Sequence, residues 1–270
     1  MVDEYFTPPD IVVRCGKLIK KHIKYLDRSL IVEPSAGNGV FIPLIKSFSN
    51  HYKCYDINPQ HTDVVKQDFL DLSISNWQWQ DVSKQRVVIG NPPFSLSCQF
   101  IKKCCNPLPK GIECDYLCFI LPRSYMKESK MKQIPRNYHF LAQEKIEFPM
   151  PVVKGKLPSI RCVFQIWEQR EDYRPKLTMP VPNGFEILPK DEWNKADVAF
   201  RMKMSRAGQI LFDKEIFKKF GGLDGRYVCF IKFIKKFNLN KIEFPEIENC
   251  IIPSISKWEI IEALNRIVVE

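Results

Sequence analysis

The 270-residue chain has no stretch of eighteen consecutive apolar residues, so no transmembrane helix is expected. Among its ten cysteines there is no C-x-x-C pair. There is also no G-K-S or G-K-T, and no G-x-G-x-x-G. The missing cysteine pair argues against a zinc site. The missing glycine motifs argue against Walker-type phosphate binding and dinucleotide binding. Histidines number only 4: His22 falls inside a helical pattern, where it is packed or exposed, and His51, His61 and His139 have no obvious partner. Acidic residues are in deficit, 31 against 41 Lys and Arg, which leaves a net charge of +10. A long-range attraction to polyanions follows, and nucleic acid is the natural partner, though a merely soluble basic protein has the same balance. The opening MVDEYFTPPD, with its acids and prolines, does not have the form of a signal peptide. An intracellular location, cytoplasmic or nuclear and away from the membrane, is therefore expected.

What is present begins with the thiols. Cys15, Cys54, Cys118, Cys162 and Cys229 fall within apolar periodic segments, where a free thiol packs as a small hydrophobe. Reduced, structural cysteines are expected, and no metal.

The pattern along the chain alternates. Thr7-Pro8-Pro9-Asp10 reads as a helix start, with Thr7 as cap and Asp10 as the acid of a capping box. Val12, Cys15, Ile19, Ile23 and Leu26 then make a helical apolar stripe. Strands are expected at residues 30–33, 52–55, 64–65, 86–90 and 116–121, and near 140–148 and 161–167. Helices are expected at about 40–48 and 97–105. The run YLCFIL at 116–121 suits a strand buried on both faces. The alternation predicts a doubly wound α/β domain over residues 1–170. The proline-rich stretch after Arg170 reads as a linker. Residues 171–270 then read as a small C-terminal α+β domain for substrate recognition, with strands near 198–202, 210–212 and 226–233. Ser256-Lys-Trp-Glu259 has the form of a capping box opening a last helix.

In a doubly wound sheet, ligands bind beyond the C-terminal ends of the strands. Glu33, Asp56, Asp68 and Asn91 would share that rim. Glu33-Pro-Ser35-Ala-Gly37-Asn-Gly39 follows a strand and precedes a helix. Its glycines let the backbone turn sharply near a ligand, and the helix N-terminus would offer amides. An ordinary strand-to-helix turn is the plainer reading. Asp56 stands where a carboxylate can accept from ribose hydroxyls. Asp68-Phe69 would suit an adenine ring, the acid accepting from its amine and the ring stacking. Either acid alone could be a solvated loop residue. Their ordered recurrence at successive strand ends carries the argument.

The fourth strand ends in Asn91-Pro92-Pro93-Phe94. The nitrogen of an exocyclic base amine is a poor nucleophile because its lone pair is delocalised into the ring. Two acceptors on its two N–H bonds favour a pyramidal nitrogen. The Asn91 side-chain oxygen can be one and the Pro92 carbonyl the other, with the prolines fixing the backbone. Phe94 can stack on the base, for about 1–3 kcal/mol. A proline turn over a buried phenylalanine is the alternative.

These residues resemble those of the S-adenosylmethionine-dependent amino-methyltransferases of the N6-adenine class. The resemblance covers roughly residues 5–168. That family has a helix-opening T-P-P, matched by Thr7, Pro8 and Pro9, and a cofactor loop similar to Glu33 to Gly39, including Ser35 and Gly37. Its ribose-binding acid falls on Asp56, with Ile57 beside the adenine, and its adenine-contacting acid on Asp68, followed by Phe69. Its catalytic tetrapeptide falls on Asn91, Pro92, Pro93 and Phe94. The motif order is similar to the γ arrangement of DNA adenine methyltransferases. The resemblance implies a Rossmann-like class I methyltransferase fold with a mostly parallel seven-stranded sheet, and S-adenosylmethionine as cofactor. It implies a target base held between the tetrapeptide and the cofactor, with direct attack of the amine on the methyl group.

The partner is expected to be nucleic acid, DNA somewhat ahead of RNA. Arg123, Lys127, Lys154 and Lys156 are placed to meet its backbone, as are Lys130 and Lys132. Later, Lys214 to Lys236 interleave with Phe217, Phe220, Tyr227, Phe230, Phe233 and Phe237. That is either a nucleic-acid groove or a small core with a charged face. Competing functions are methyl transfer to a protein glutamine, whose enzymes usually end the tetrapeptide in Tyr, transfer to cytosine N4, or a catalytically silent nucleic-acid-binding partner of another methyltransferase.

Overall fold

The computed structural model describes residues 6–73, 85–107, 110–149, 159–202, 207–221, 228–244 and 255–269. The chain divides into two compact units, 1–176 and 177–270. The sequence reading put the division at 170/171. Arg174 belongs with the first unit, since its guanidinium donates to the carbonyls of Tyr138 and Ile134 at 2.5 and 3.0 Å and lies over the Trp167 ring.

The first unit is built on strands β1 (Leu30–Glu33), β2 (Tyr52–Asp56), β3 (Val65–Lys66), β4 (Arg86–Gly90), β5 (Tyr116–Pro122), β6 (Tyr138–Pro149) and β7 (Ser159–Gln169). They form one seven-stranded sheet in the order β3-β2-β1-β4-β5-β7-β6. β1 to β5 run parallel, and β7 runs antiparallel to both β5 and β6. Val87 to Ile89 of β4 and Leu117 to Leu121 of β5 are fully buried. Central strands covered on both faces need such unbroken apolar runs, and each large side chain so buried contributes roughly 1.5–3 kcal/mol. The chain leaves β1 for β2 on one side, and β4 lies on the other. That change of direction opens a crevice at the C-terminal ends of β1 and β4.

The helices are α1 (Pro9–His22), α2 (Ile42–Phe48), α3 (Ser97–Cys105) and the single turn α4 (Glu128–Met131). Val12, Cys15 and Ile19 of α1 are buried, as the periodicity predicts. Leu26 falls outside the helix, because the chain turns through Tyr25 at φ +57° into a short 3-10 segment. One expectation fails here. The residue capping α1 is Pro8, with no side-chain cap, so neither Thr7 nor Asp10 makes the capping box. The Thr7 hydroxyl is drawn instead to a residue of the crevice. α2 is shorter than expected, beginning after Phe41.

The second unit has strands β8 (Phe185–Leu188), β9 (Val198–Arg201), β10 (Ile210–Leu211) and β11 (Val228–Phe233) in the order β10-β9-β11-β8, every pair antiparallel. Helices α5 (Lys214–Gly221) and α6 (Lys257–Asn265) accompany it. The Ser256–Glu259 capping box of α6 is complete. Of the described aromatics in this unit, Phe185, Phe200, Phe217 and Phe230 are buried, Phe233 and Phe237 are half-buried against that core, and Phe212 is exposed. Phe217 and Phe230 are buried edge to face, and Phe233 stacks on Phe237 at 4.7 Å. Tyr227 lies outside the described residues.

Candidate functional site

A cavity of about 560 Å3 opens in the first unit, at the crevice between β1 and β4. That volume lies within the range typical of small-molecule sites. Its wall joins Thr7, Glu33, Ser35, Gly37, Asp56, Ile57, Asp68, Phe69, Asn91, Pro92 and Pro93. Residues expected from four separate strand ends thus meet around one space. The tetrapeptide is not sealed off from the glycine loop.

The loop is held from below. The Gly37 amide donates to Asp56 Oδ2 at 2.8 Å, and the Asn58 amide donates to Asp56 Oδ1 at 2.8 Å. The Ala36 amide donates to the Tyr55 carbonyl, and the Gly39 amide to the Ala36 carbonyl. The Val40 amide donates to Asn38 Oδ1 at 3.3 Å. These amides are spent within the loop and on the end of β2. The expected display of amides at a helix N-terminus is therefore absent from residues 36, 37, 39 and 40, and α2 begins only at Ile42. Gly37 and Gly39 sit at φ +49° and +76°, where L side chains are strained. Gly39 does not line the cavity. It shapes the loop from behind, where a Cβ would come within 2.7 Å of the His61 ring.

Glu33 ends β1 and is 1% exposed. Its Oε2 and the Ser35 Oγ are buried and meet no hydrogen-bond partner among the described residues. Burial, and then the nearby Asp56 carboxylate, push the Glu33 carboxyl well above its ordinary range. A buried acid of this kind favours a cationic or hydrogen-bond-donating ligand. Asp68 is exposed, and its Oδ1 accepts from the Leu70 amide at 2.8 Å. Ile57 is 67% exposed, an apolar platform at the cavity. Phe69 differs. Its ring is 1% exposed, stacked on Phe100 and tilted against Tyr55, so it is a core wall and offers no open face for stacking.

β4 delivers Asn91 and its prolines. Asn91 Nδ2 donates to Thr7 Oγ1 at 3.1 Å, joining the segment before α1 to the tetrapeptide. Pro92 is buried and Pro93 half-buried. Phe94 opens a 3-10 turn to Leu96, and it is not among the lining residues. Arg123 begins the 3-10 turn that follows β5 on the same rim, and Lys127 follows it. Both are half-buried, and neither lines the cavity. Lys154 and Lys156 lie outside the described residues. Phe6, Asn58, Gln67 and Phe100 also belong to the wall. The first three adjoin or nearly adjoin Thr7, Asp56 and Asp68, a proximity the sequence offered. Phe100 gave no signal beyond its place in α3.

Among the described lining residues there is no Lys, Arg or His, whereas Glu33, Asp56 and Asp68 supply three carboxyl groups. Among the described residues, no three His, Cys, Asp or Glu side chains gather to hold a metal, and no helix is long and apolar enough to cross a membrane. The described cysteines are free, and all but Cys98 are buried.

No protein-family model matches the chain, and no curated protein matches it. Among solved structures, the 23S rRNA methyltransferase ErmE is similar over 63% of this chain and 71% of its own, at 11% identity and a TM-score of 0.44. A dimethyladenosine transferase from Plasmodium falciparum is similar over 62% of this chain and 63% of its own, at 11% identity and a TM-score of 0.42. A SAM-dependent O-methyltransferase from Thermotoga maritima is similar over 63% and 69%, at 10% identity and a TM-score of 0.39. The sheet order and its antiparallel β7 define a Rossmann-like, mostly parallel seven-stranded α/β fold.

Proposed function

We propose that the protein transfers a methyl group from S-adenosylmethionine to the N6 amine of adenine in nucleic acid, DNA ahead of RNA. The observation that carries this reading is one cavity whose described lining joins three carboxyl groups and no basic residue to Asn91-Pro92-Pro93. Phosphate-bearing cofactors would meet three carboxyl groups and no counter-charge. A cationic nucleoside suits the same wall. Thr7, Glu33, Ser35, Gly37, Asp56, Ile57, Asp68 and Phe69 would hold it, with Gly39 shaping the loop. Glu33 would face an ammonium group, Asp56 the ribose hydroxyls, and Asp68 with Ile57 the adenine. When bound, the cofactor supplies a methyl group on a sulfonium, an electrophile that needs no metal.

The chain's own contribution is to hold a flat amine. Asn91 Oδ1 and the Pro92 carbonyl accept its two N–H bonds and favour a pyramidal nitrogen, while the prolines keep those dipoles in place. Positioning and fixed dipoles supply the rate, and the proton leaves after transfer, so no strong base is required. The excess of basic residues supports a polyanionic substrate. The motif order and the second unit support DNA.

The test is incubation with labelled cofactor and matched DNA and RNA pools, followed by nucleoside mass spectrometry. Label in N6-methyladenine is the expected result. Label in neither polymer, or in a protein glutamine instead, overturns it. Asn91→Ala should lose about 10²- to 10³-fold in kcat, the cost of one preorganised polar contact. Its affinity for S-adenosylhomocysteine should be largely kept. Undiminished turnover in that variant would remove Asn91 from its role.

A further inference from the structure

Thr7 is 5% exposed, and its hydroxyl oxygen accepts from Asn91 Nδ2 at 3.1 Å. Both residues line the cavity. They are far apart in sequence, and Thr7 makes no cap for α1. A hydroxyl has one proton to donate and two lone pairs to accept with. Asn91 takes a lone pair, and none of the described residues accepts the proton of Thr7. Among the described lining residues there is no cation for the carboxylate of an amino-acid-bearing cofactor, so neutral donors would meet it. Thr7, Ser35 and Ser95 are the hydroxyls of the described wall, and of these Thr7 is the one bonded to Asn91.

The bond also fixes a direction. An amide has a nitrogen end and an oxygen end, and the nitrogen end of Asn91 is turned to Thr7. The carbonyl dipole of Asn91 is thereby oriented. Hydrogen bonds in series polarise one another, strengthening each by about 10–30%. An acceptor on the Thr7 proton makes its oxygen a better acceptor for Nδ2. That in turn makes Oδ1 a better acceptor for an amine.

We infer that Thr7 is a positioning residue that couples the two ligands: it donates to the cofactor carboxylate, holds Asn91 Nδ2, and so tightens the grip of Asn91 Oδ1 on the target amine when the cofactor is in place. The inference rests on the proposed function. It adds that cofactor and target bind cooperatively through one side-chain chain of hydrogen bonds. By linkage, the target must raise cofactor affinity by the same factor.

The experiment uses the full chain and the adenine-containing oligonucleotide, DNA or RNA, that accepts the methyl group. Its affinity is measured with and without S-adenosylhomocysteine, which is kept saturating for each variant. The wild type should bind it about 2- to 4-fold more tightly with S-adenosylhomocysteine present. Thr7→Ser should keep that ratio. Thr7→Val and Thr7→Ala should bring it to about one, and the pair guards against a folding defect in either. The Asn91 side-chain amide resonance should shift on adding S-adenosylhomocysteine in the wild type and Thr7→Ser, and stay still in Thr7→Val. A ratio that survives in Thr7→Val and Thr7→Ala overturns the inference and leaves Thr7 a cofactor contact at most. A wild type that methylates adenine yet shows no coupling sinks the inference alone. A wild type that methylates adenine in neither polymer sinks the proposed function and the inference with it.

Discussion

At the scale of the residue, Glu33 shows how a site is maintained against the stability of its own fold. Its carboxyl is raised by burial and by Asp56. For an acid raised in this way, the folded state favours the protonated form. Stability is fullest below the ordinary carboxyl range and declines as pH rises through it toward the raised value. At neutral pH the residue therefore strains the empty fold. Glu33→Gln removes the charge and keeps the shape. It should raise the melting temperature at pH 7 by about 2–4 °C, the equivalent of roughly 1 kcal/mol in a chain of this size, and the gain should vanish near pH 4. The same variant should weaken S-adenosylhomocysteine binding, and wild-type affinity should climb with pH while Glu33 titrates. Calorimetry at both pH values checks each part. A variant less stable at pH 7 would show that Glu33 is satisfied within the fold and awaits no cation.

At the scale of the element, the glycine loop is specified from two sides. Asp56 at the end of β2 takes the Gly37 amide, and His61 closes on Gly39. Gly39→Ala would put a methyl group 2.7 Å from the His61 ring at φ +76°, a backbone region costing an L residue about 1–2 kcal/mol by itself. Lower stability and weaker S-adenosylhomocysteine binding are expected. Gly39→Ala with His61→Gly should recover only part of the loss, because the contact is relieved and the backbone strain is not. Full recovery would mean that the positive φ does not matter. The loop also shows what the sequence made legible. A strand, two glycines and a following acid at Asp56 can be read by spacing, since local geometry dictates them. So can β5, whose apolar run is long enough to demand burial on both faces. The capping role of Thr7 was misread because a local motif competed with a long-range partner. No local pattern shows that Asn91 Nδ2 will reach residue 7. Phe69 was misread for a related reason. An aromatic after an acid looks like a stacking platform, but whether its faces are open depends on Phe100 and Tyr55, which arrive from other elements. In the second unit, the alternation of Lys and Phe is as compatible with a groove as with an amphipathic element, and packing claimed the rings.

At the scale of the whole molecule, charge is divided unevenly. Residues 1–176 carry 26 Lys and Arg against 18 acidic residues, whereas residues 177–270 carry 15 against 13. Most of the positive excess therefore belongs to the unit that holds the cavity, although the lysines of residues 214–236 look dense when read alone. The described cavity wall has no basic residue, so the described excess lies elsewhere on that unit, where under the proposed function a polyanion can meet it apart from the carboxyl groups of the cavity. Arg123 and Lys127 stand on the rim beyond β5, beside the strand that delivers Asn91. If both meet phosphates, Arg123→Ala with Lys127→Ala should lower the salt dependence of oligonucleotide binding by about 1.4–1.8 in the slope of log K against log salt, from about 0.7 to 0.9 per phosphate contact. Affinity should fall uniformly across sequences, because phosphate contacts position and do not specify. Lys235→Ala with Lys236→Ala, in the nearly neutral second unit, should move the slope less. Titrations of one oligonucleotide at several salt concentrations compare the two pairs directly. A larger change from the second pair would shift the polyanion track to residues 177–270 and leave Arg123 and Lys127 as structural residues of the turn after β5.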